Sequence, residues 1–250
     1  MGVLSNEVLD QLRERKSVRV FTGQEVSAEV KQTLLASAVE APTAGNQQLY
    51  TILDITDEEL KKRLSVLCDN QAFIASAPLV LIFCADMLKW LDAYREAGLE
   101  PRPAGAGDLF ISLDDALIAA QNVVTAAQSL GLGSCYIGDI MENCEAVREA
   151  LCLPEMIFPA AMLVIGYPTQ QQLNRTKPAR FPMDYVVMEN TYRRRTGQDL
   201  REMFRKDTEP AGKSFEEWIE AFCKRKYESG FSCEMTRSVE KYLEDYRSRG

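Results

Sequence analysis

The stretch most ready for chemistry is Arg13-Glu14-Arg15-Lys16-Ser17-Val18-Arg19-Val20-Phe21, where four of the first seven residues are basic. The chain around it is acidic, with a net charge of −8 over 250 residues. That charge would repel a nucleic-acid backbone, so the cluster suits a small anion better than a polymer. A second basic pair, in Lys177-Pro178-Ala179-Arg180, lies far along the chain. Guanidinium groups grip phosphate in a two-pronged fork, and two such clusters converging would make a phosphate site. The stretch from Glu40 to Gln48 (EAPTAGNQQ) adds small side chains and amides. Asn46, Gln47 and Gln48 carry the donors and acceptors that recognise a heteroaromatic edge. Together these residues point to a phosphate-bearing aromatic cofactor.

What is missing narrows the chemistry further. The chain has no histidine, which excludes Ser-His-Asp and Cys-His catalysis and histidine zinc sites. Carboxylates, Lys, Tyr, Cys or a cofactor remain. Seven cysteines, an odd number without CxxC spacing, read as free buried thiols in a reducing compartment. Cys135 reads as a small buried apolar residue, with a redox role as the sharper alternative. The nearest approach to a dinucleotide fingerprint, Gly131-Leu132-Gly133-Ser134-Cys135-Tyr136, lacks the third glycine and follows a helix. No Walker loop is present. Asp114-Asp115 reads as charge at the start of a helix.

The elements that must position these residues alternate along the chain. Apolar spacing predicts a helix from Ser5 to Lys16 and a Ser27-capped helix that stops at Pro42. A strand is expected over Leu49–Ile55, then a helix through Leu67 opened by a Thr56/Glu59 capping box. The apolar run Ala77–Cys84 predicts a strand covered on both faces, and a helix follows from Met87 to Ala97. The Gly/Pro-rich stretch 98–107 reads as a surface loop or as a mobile lid. The helix from Asp108 to Leu130 carries no charge after Asp115, so it is expected to be buried, in the core or at a subunit interface. The residues from Gly131 to Gly138 read as a loop, Asn143–Leu151 as a helix and Ala160–Ile165 as a strand. Residues 169–182 read as irregular, and Phe215–Tyr227 and Arg237–Arg247 as helices. The pattern is that of an α+β or α/β sandwich, a modest sheet between helices. The uncharged run Ala116–Gly138 contains Gln121, Asn122 and Gln128, so no membrane span is expected. The opening MGVLSNEVLDQL matches neither a signal nor a transit peptide, and a cytoplasmic protein is expected.

These motifs also carry a resemblance. Residues 15–21 (RKSVRVF) resemble the RRSxRxF opening of the flavin-dependent nitroreductase family, and 41–47 (APTAGNQ) its APSxxNxQ loop. Residues 71–78 (QAFIASAP) are similar to its QxxIxxAP segment, 131–138 (GLGSCYIG) to its GLGxxxIG loop, and 177–180 (KPAR) to its KPR motif. Glu189-Asn190-Thr191-Tyr192 resembles a segment of the larger nitroreductase and flavin reductase subgroup. Lys16 stands where a second arginine is commoner, and Ala179 lengthens the late motif by one residue.

The resemblance implies a single domain over 1–250 with a central mixed sheet and a helical extension from about 198 to 250. It implies bound FMN, reduced by NADH or NADPH, that passes two electrons as hydride to a small-molecule acceptor in a ping-pong cycle. Nitroaromatics, quinones and flavins are the expected acceptors. Arg15, Ser17 and Arg180, with Lys177, would hold the phosphate and nearby ribityl oxygens, and Lys16 would line that end. Arg19 would approach N1 and O2 of the ring. Pro42, Thr43, Ala44 and Asn46 would edge the ring, and Gln71 would reach its pyrimidine side or the ribityl chain. Tyr136, Ile137 and Gly138 would pack its dimethylbenzene side. No side-chain acid or base is required, so no catalytic residue is named. A homodimer with FMN at the interface is implied, with neither nucleic acid nor membrane as partner. The same fold also admits a specialised flavoenzyme (a dehydrogenase, a dehalogenase or a flavin consumer) or a flavin-binding sensor without turnover.

Overall fold

The computed structural model describes residues 4–247. At its centre, β1 (Tyr50–Asp54), β2 (Leu79–Asp86), β3 (Gly133–Ile137) and β4 (Ile157–Gly166) form a sheet in the order β1-β2-β4-β3. All three pairings are antiparallel. Parallel pairing enters at an isolated bridge, Ser17 to Ser134.

Side chains alternate across a strand, and β2 uses both sets. Leu79, Leu81 and Phe83 enter one core cluster, and Val80, Ile82 and Cys84 the other. The first cluster is closed by α2 (Ala28–Val39) and α5 (Ala106–Ser129) through Leu34, Ala38, Ala119 and Val123. The second is closed by α3 (Glu58–Leu67) and α6 (Cys144–Leu151) through Leu64 and Val147. Helices on both faces of one sheet make the α+β sandwich that the sequence pattern predicts. The helix α5 is long and apolar enough to cross a membrane by composition. It packs instead on the sheet through its small residues, while Phe110, Ile111, Leu117 and Ile118 stay exposed on its other side.

Several boundaries differ from expectation, each for a local reason. Asp57, not Thr56, caps α3, its carboxylate accepting from the Leu60 N–H at 2.6 Å. The stretch 131–138 is not a loop throughout, since Gly133–Ile137 pairs with β4 as an edge strand. β4 begins at Ile157 rather than Ala160, carrying Pro159 inside the sheet. The missing proline N–H is tolerated because the register shifts between Phe83 and Cys84 there, and β3 pairs only from Met162 onward. The 98–107 stretch is tied down by Ala104, which is buried, and by the Arg102 guanidinium gripping Asp108 with two nitrogens. Four thiols are buried (Cys68, Cys84, Cys135 and Cys144), but Cys152 and Cys233 are exposed, against the expectation of burial.

The chain divides into two compact units, one reaching Arg175 and resuming at Glu234, the other spanning Thr176–Cys233. The first also holds α1 (Glu7–Glu14), α4 (Leu88–Glu96) and α7 (Gln170–Asn174). The second contains α8 (Gly197–Ala211) and α9 (Phe215–Lys226) around an aromatic cluster in which Phe204 meets Phe181, Phe215 and Trp218. The last helix, α10 (Gly230–Leu243), begins in the second unit and continues in the first.

Candidate functional site

The basic segment turns from helix to extended chain at Arg15, whose ψ of 127° ends α1. Arg13 remains on the helix, paired with Asp10. From Ser17 the chain runs beside β3, with the Val18 N–H donating to the Ser134 carbonyl at 2.9 Å. This approach is so close that a side chain at Gly133 would put its Cβ 2.5 Å from Val18 Cγ2. At Gly166 a Cβ would come within 2.9 Å of both Pro78 and Phe21. The two glycines face each other across the β3–β4 pairing, and their lack of a Cβ lets the basic segment lie against the sheet.

Arg15 is thereby held over the Tyr136 ring, its guanidinium carbon 5.9 Å from the centroid. Its Nε and Nη2 are buried and have no hydrogen-bond partner among the described residues. Charged donors withdrawn from water without an acceptor are costly. An anion arriving here would remove that cost. Tyr136 is fixed in turn by its hydroxyl, which donates to Gln121 Oε1 on α5 at 3.4 Å. Burial pushes the phenol up to about 12, with Arg15 pulling the other way.

The other cations of the segment are used differently. Lys16 donates to the backbone carbonyls of Leu173 and Arg175, tethering the chain after α7. The Ser17 carbonyl accepts from Arg175 Nη2 at 2.9 Å. Arg19 is exposed, its guanidinium 5.9 Å from the Phe73 ring and its N–H bonded to Gln172 Oε1 at 3.3 Å.

The 42–48 loop is held in an unusual shape. Gly45, Asn46 and Gln48 all have left-handed φ, at 56°, 57° and 51°. Tethers surround it: the Thr43 hydroxyl accepts from the Gln48 N–H at 3.2 Å, and the Trp90 indole donates to the Gln47 carbonyl at 2.8 Å. Lys89 donates to the Gln48 and Tyr50 carbonyls. Asp115 accepts from the Ala44 and Leu49 N–H groups, at 2.9 and 3.0 Å. The expectation that Asp114-Asp115 merely charges a helix start is therefore corrected for Asp115. The helix opens at Ala106, so Asp115 lies well inside it, and the residue is 2% exposed.

Gln71 closes a local turn, donating to the Cys68 carbonyl at 3.0 Å. Ile137 is buried, and exposed Gly138 opens a 3-10 turn through Met141. Lys177 and Arg180 belong to the second unit, in its irregular opening segment, Lys177 half-buried and Arg180 exposed. Sequence reasoning missed Trp90, Gln121, Phe73 and the role of Asp115. For Asp115 a signal existed, a carboxylate within the buried face that includes Ser112, Ala116 and Ala119.

A cavity of about 480 Å³ lies elsewhere in the first unit, lined by Thr22, Lys31, Asp54, Lys61 and Ser76 among others, with none of the assigned site residues. The second unit has one of about 310 Å³ between Asp184, Glu189, Arg193 and Arg195.

The helix-flanked antiparallel sheet defines an α+β protein in which the Arg15 guanidinium lies beside β3 at one sheet edge and the 42–48 loop leads into β1 at the other, so within one chain the two are not brought together. Residues 12–167 match the Nitroreductase family. An FMN reductase (NADPH) of Bacillus subtilis is 36% identical over 189 residues, 75% of each chain. A Cr(VI) reductase of a Pseudomonas species is 34% identical over 193 residues, 77% of this chain and 78% of its own. Among solved structures, a nitroreductase from B. subtilis has a TM-score of 0.81 at 30% identity, covering 96% of this chain and 98% of its own. The NADPH:FMN oxidoreductase of Vibrio harveyi, complexed with NAD+, has a TM-score of 0.81 at 25% identity over 95% and 98%. The chain belongs to the nitroreductase family.

Proposed function

We propose that this protein is an FMN-dependent NAD(P)H oxidoreductase. The observation that carries the reading is Arg15, whose two buried nitrogens lack an acceptor beside the Tyr136 ring. The FMN phosphate supplies that acceptor, and the amides of Asn46, Gln47 and Gln48 in the 42–48 loop suit the edge of a heteroaromatic ring. Relatives named as FMN reductase and NADPH nitroreductase support the activity. Bound FMN supplies two-electron transfer from a reduced nicotinamide to an acceptor, chemistry that asks no histidine of the protein.

The chain's own residues bind and orient. Arg15 and Ser17 hold the phosphate end, and Arg19 lies further along the same extended segment, where its positive charge favours an anionic reduced ring. Lys16 acts by tethering the segment to the chain after α7. Pro42, Thr43, Ala44 and Asn46 edge the ring, Gln71 serves the polar side, and Tyr136, Ile137 and Gly138 the dimethylbenzene side. Lys177 and Arg180 lie in the second unit, and a phosphate role for them rests on their motif alone. The single-domain reading is supported by the return of the chain to the first unit at Glu234.

A homodimer is part of the proposal. Its support is the row Phe110, Ile111, Leu117 and Ile118 exposed on α5, next to Gln121, which holds Tyr136. Cytoplasmic residence rests on the free thiols.

The test is direct. Purified protein is expected to be yellow, or to become so with FMN, and to be bleached anaerobically by NADH or NADPH. Reoxidation by a nitroaromatic, a quinone, free FMN or chromate then identifies the acceptor. A colourless protein that ignores FMN overturns the cofactor assignment. A yellow protein that neither nucleotide bleaches overturns the reductase assignment alone.

A further inference from the structure

The 42–48 loop cannot owe its shape to its own sequence. Three left-handed residues in a four-residue span, two of them not glycine, form a conformation that L-residues avoid, so the surroundings must impose it. The imposing group with the most leverage is Asp115. It reaches both ends of the loop at once, one carboxylate oxygen on Ala44 N–H and the other on Leu49 N–H. It is buried, it sits on the longest helix of the first unit, and among the described residues no ion pair involves it. Its charge is satisfied by the loop's backbone. A carboxylate held by two N–H groups makes stronger and more directional contacts than a neutral acceptor would. Trp90 adds a single tether at Gln47 from α4.

We propose that Asp115 is the positioning residue of the flavin-edge loop, setting where Pro42, Thr43, Ala44 and Asn46 meet the cofactor. The inference rests on the FMN reading above. The helix α5 then carries two supports of the site, Asp115 under the loop and Gln121 at Tyr136. A rigid element behind a strained loop is how a binding geometry is held without the ligand.

The substitution Asp115→Asn tests this with almost no change in volume. The amide keeps one acceptor oxygen but turns an NH2 toward the other N–H, so one end of the loop is released. Two quantities are read on the full-length protein: the FMN dissociation constant by fluorescence titration, and the visible circular dichroism of the bound flavin. The circular dichroism reports ring surroundings that a merely stabilising residue would not alter. D115N is expected to weaken FMN by about tenfold and to change the flavin dichroism. Trp90→Phe removes the second tether while keeping the ring packing, and a shift of the same kind but smaller is expected. FMN affinity within about twofold of wild type, with unchanged dichroism, overturns the proposal even if D115N unfolds at a lower temperature. If D115N does not fold, Asp115→Glu, which keeps the carboxylate but displaces its two oxygens, is read by the same two measurements, and unchanged values overturn the proposal. Failure of the wild-type protein to bind FMN would be seen before any substitution, and would overturn the cofactor reading itself.

Discussion

At the β3 edge, the Arg15 guanidinium lies 5.9 Å from the Tyr136 ring, while at the docking site of α10 that of Arg148 on α6 lies 4.7 Å from the Tyr242 ring. The chemistry of the two stacks is alike, but their surroundings differ. Arg148 is paired with Asp245, which bonds its guanidinium and also accepts from the Met156 N–H at 2.9 Å, although its Nε, too, is buried without a partner among the described residues. Among the described residues Arg15 has no such carboxylate, and two of its nitrogens are left without a partner. The Arg148 end of the structure balances its own charge because its task is to dock a helix. The Arg15 end leaves a charge unpaired among the described residues, and that imbalance is what supports the proposed phosphate site there.

The sharpest way to break this comparison is to remove each guanidinium in turn. Arg148→Met strands the Asp245 carboxylate, which is 9% exposed, and should cost about 3 kcal/mol or more in denaturant unfolding. Arg15→Met strands nothing and should leave the stability of the FMN-free protein unchanged or slightly raised. Comparable losses in the two variants would mean that Arg15 is structural after all.

The next effect is on the ligand. Arg15→Ala should weaken FMN binding about 10- to 100-fold, the worth of charge-assisted hydrogen bonds. Arg13→Ala, at the exposed helix end beside Asp10, should leave the dissociation constant unchanged. Equal effects of the two substitutions would refute the placement of the phosphate.

The smallest effect concerns pH, and it sharpens the picture between the two ends. Glu142, just after the 3-10 turn that follows β3, is buried with Oε1 unpartnered. Burial, and then the carboxylates of Asp139, Asp69 and Glu234, raise its carboxyl to about 7 from 4.5. The folded state thus holds a proton that the unfolded state releases. Its contribution to stability is present below about 4.5 and is lost as pH rises to about 7. The opposite case is Glu145, held near 2 chiefly by Arg237, whose contribution is lost only on acidification below 4.5. The two windows do not overlap. The unfolding temperature of the FMN-free protein should therefore fall between pH 4.5 and 7, and Glu142→Gln should flatten that slope. An unaltered slope in E142Q would assign the titration to another group.

Much of the fold was legible because burial patterns are local in sequence. The run from Ala77 to Cys84 could only be a strand covered on both faces, and it is β2. Errors gathered where a tertiary contact overrode a local signal. Gly131–Gly138 looked like a loop because glycines interrupt it, yet Gly133 is there to let Val18 approach a paired strand. Asp115 looked like helix-end charge because its partners, Ala44 and Leu49, lie far back in the chain.

By itself, the sequence determined that this chain supplies no histidine to its own chemistry, that it carries a basic extended segment suited to a small anion, and that strands and helices alternate. It carried the motifs of its family in order. Only the tertiary structure decided how the cations divide. Arg13 is spent on Asp10, Lys16 on the carbonyls of Leu173 and Arg175, and among the described residues Arg15 is the one of these three, itself half-buried, that has buried nitrogens without a partner. The reason is physical. Composition and spacing are properties of a chain segment, whereas desolvation and pairing depend on which distant segments meet. Tyr136 covers Arg15, and among the described residues no carboxylate pairs with it, which is what supports the proposed phosphate role.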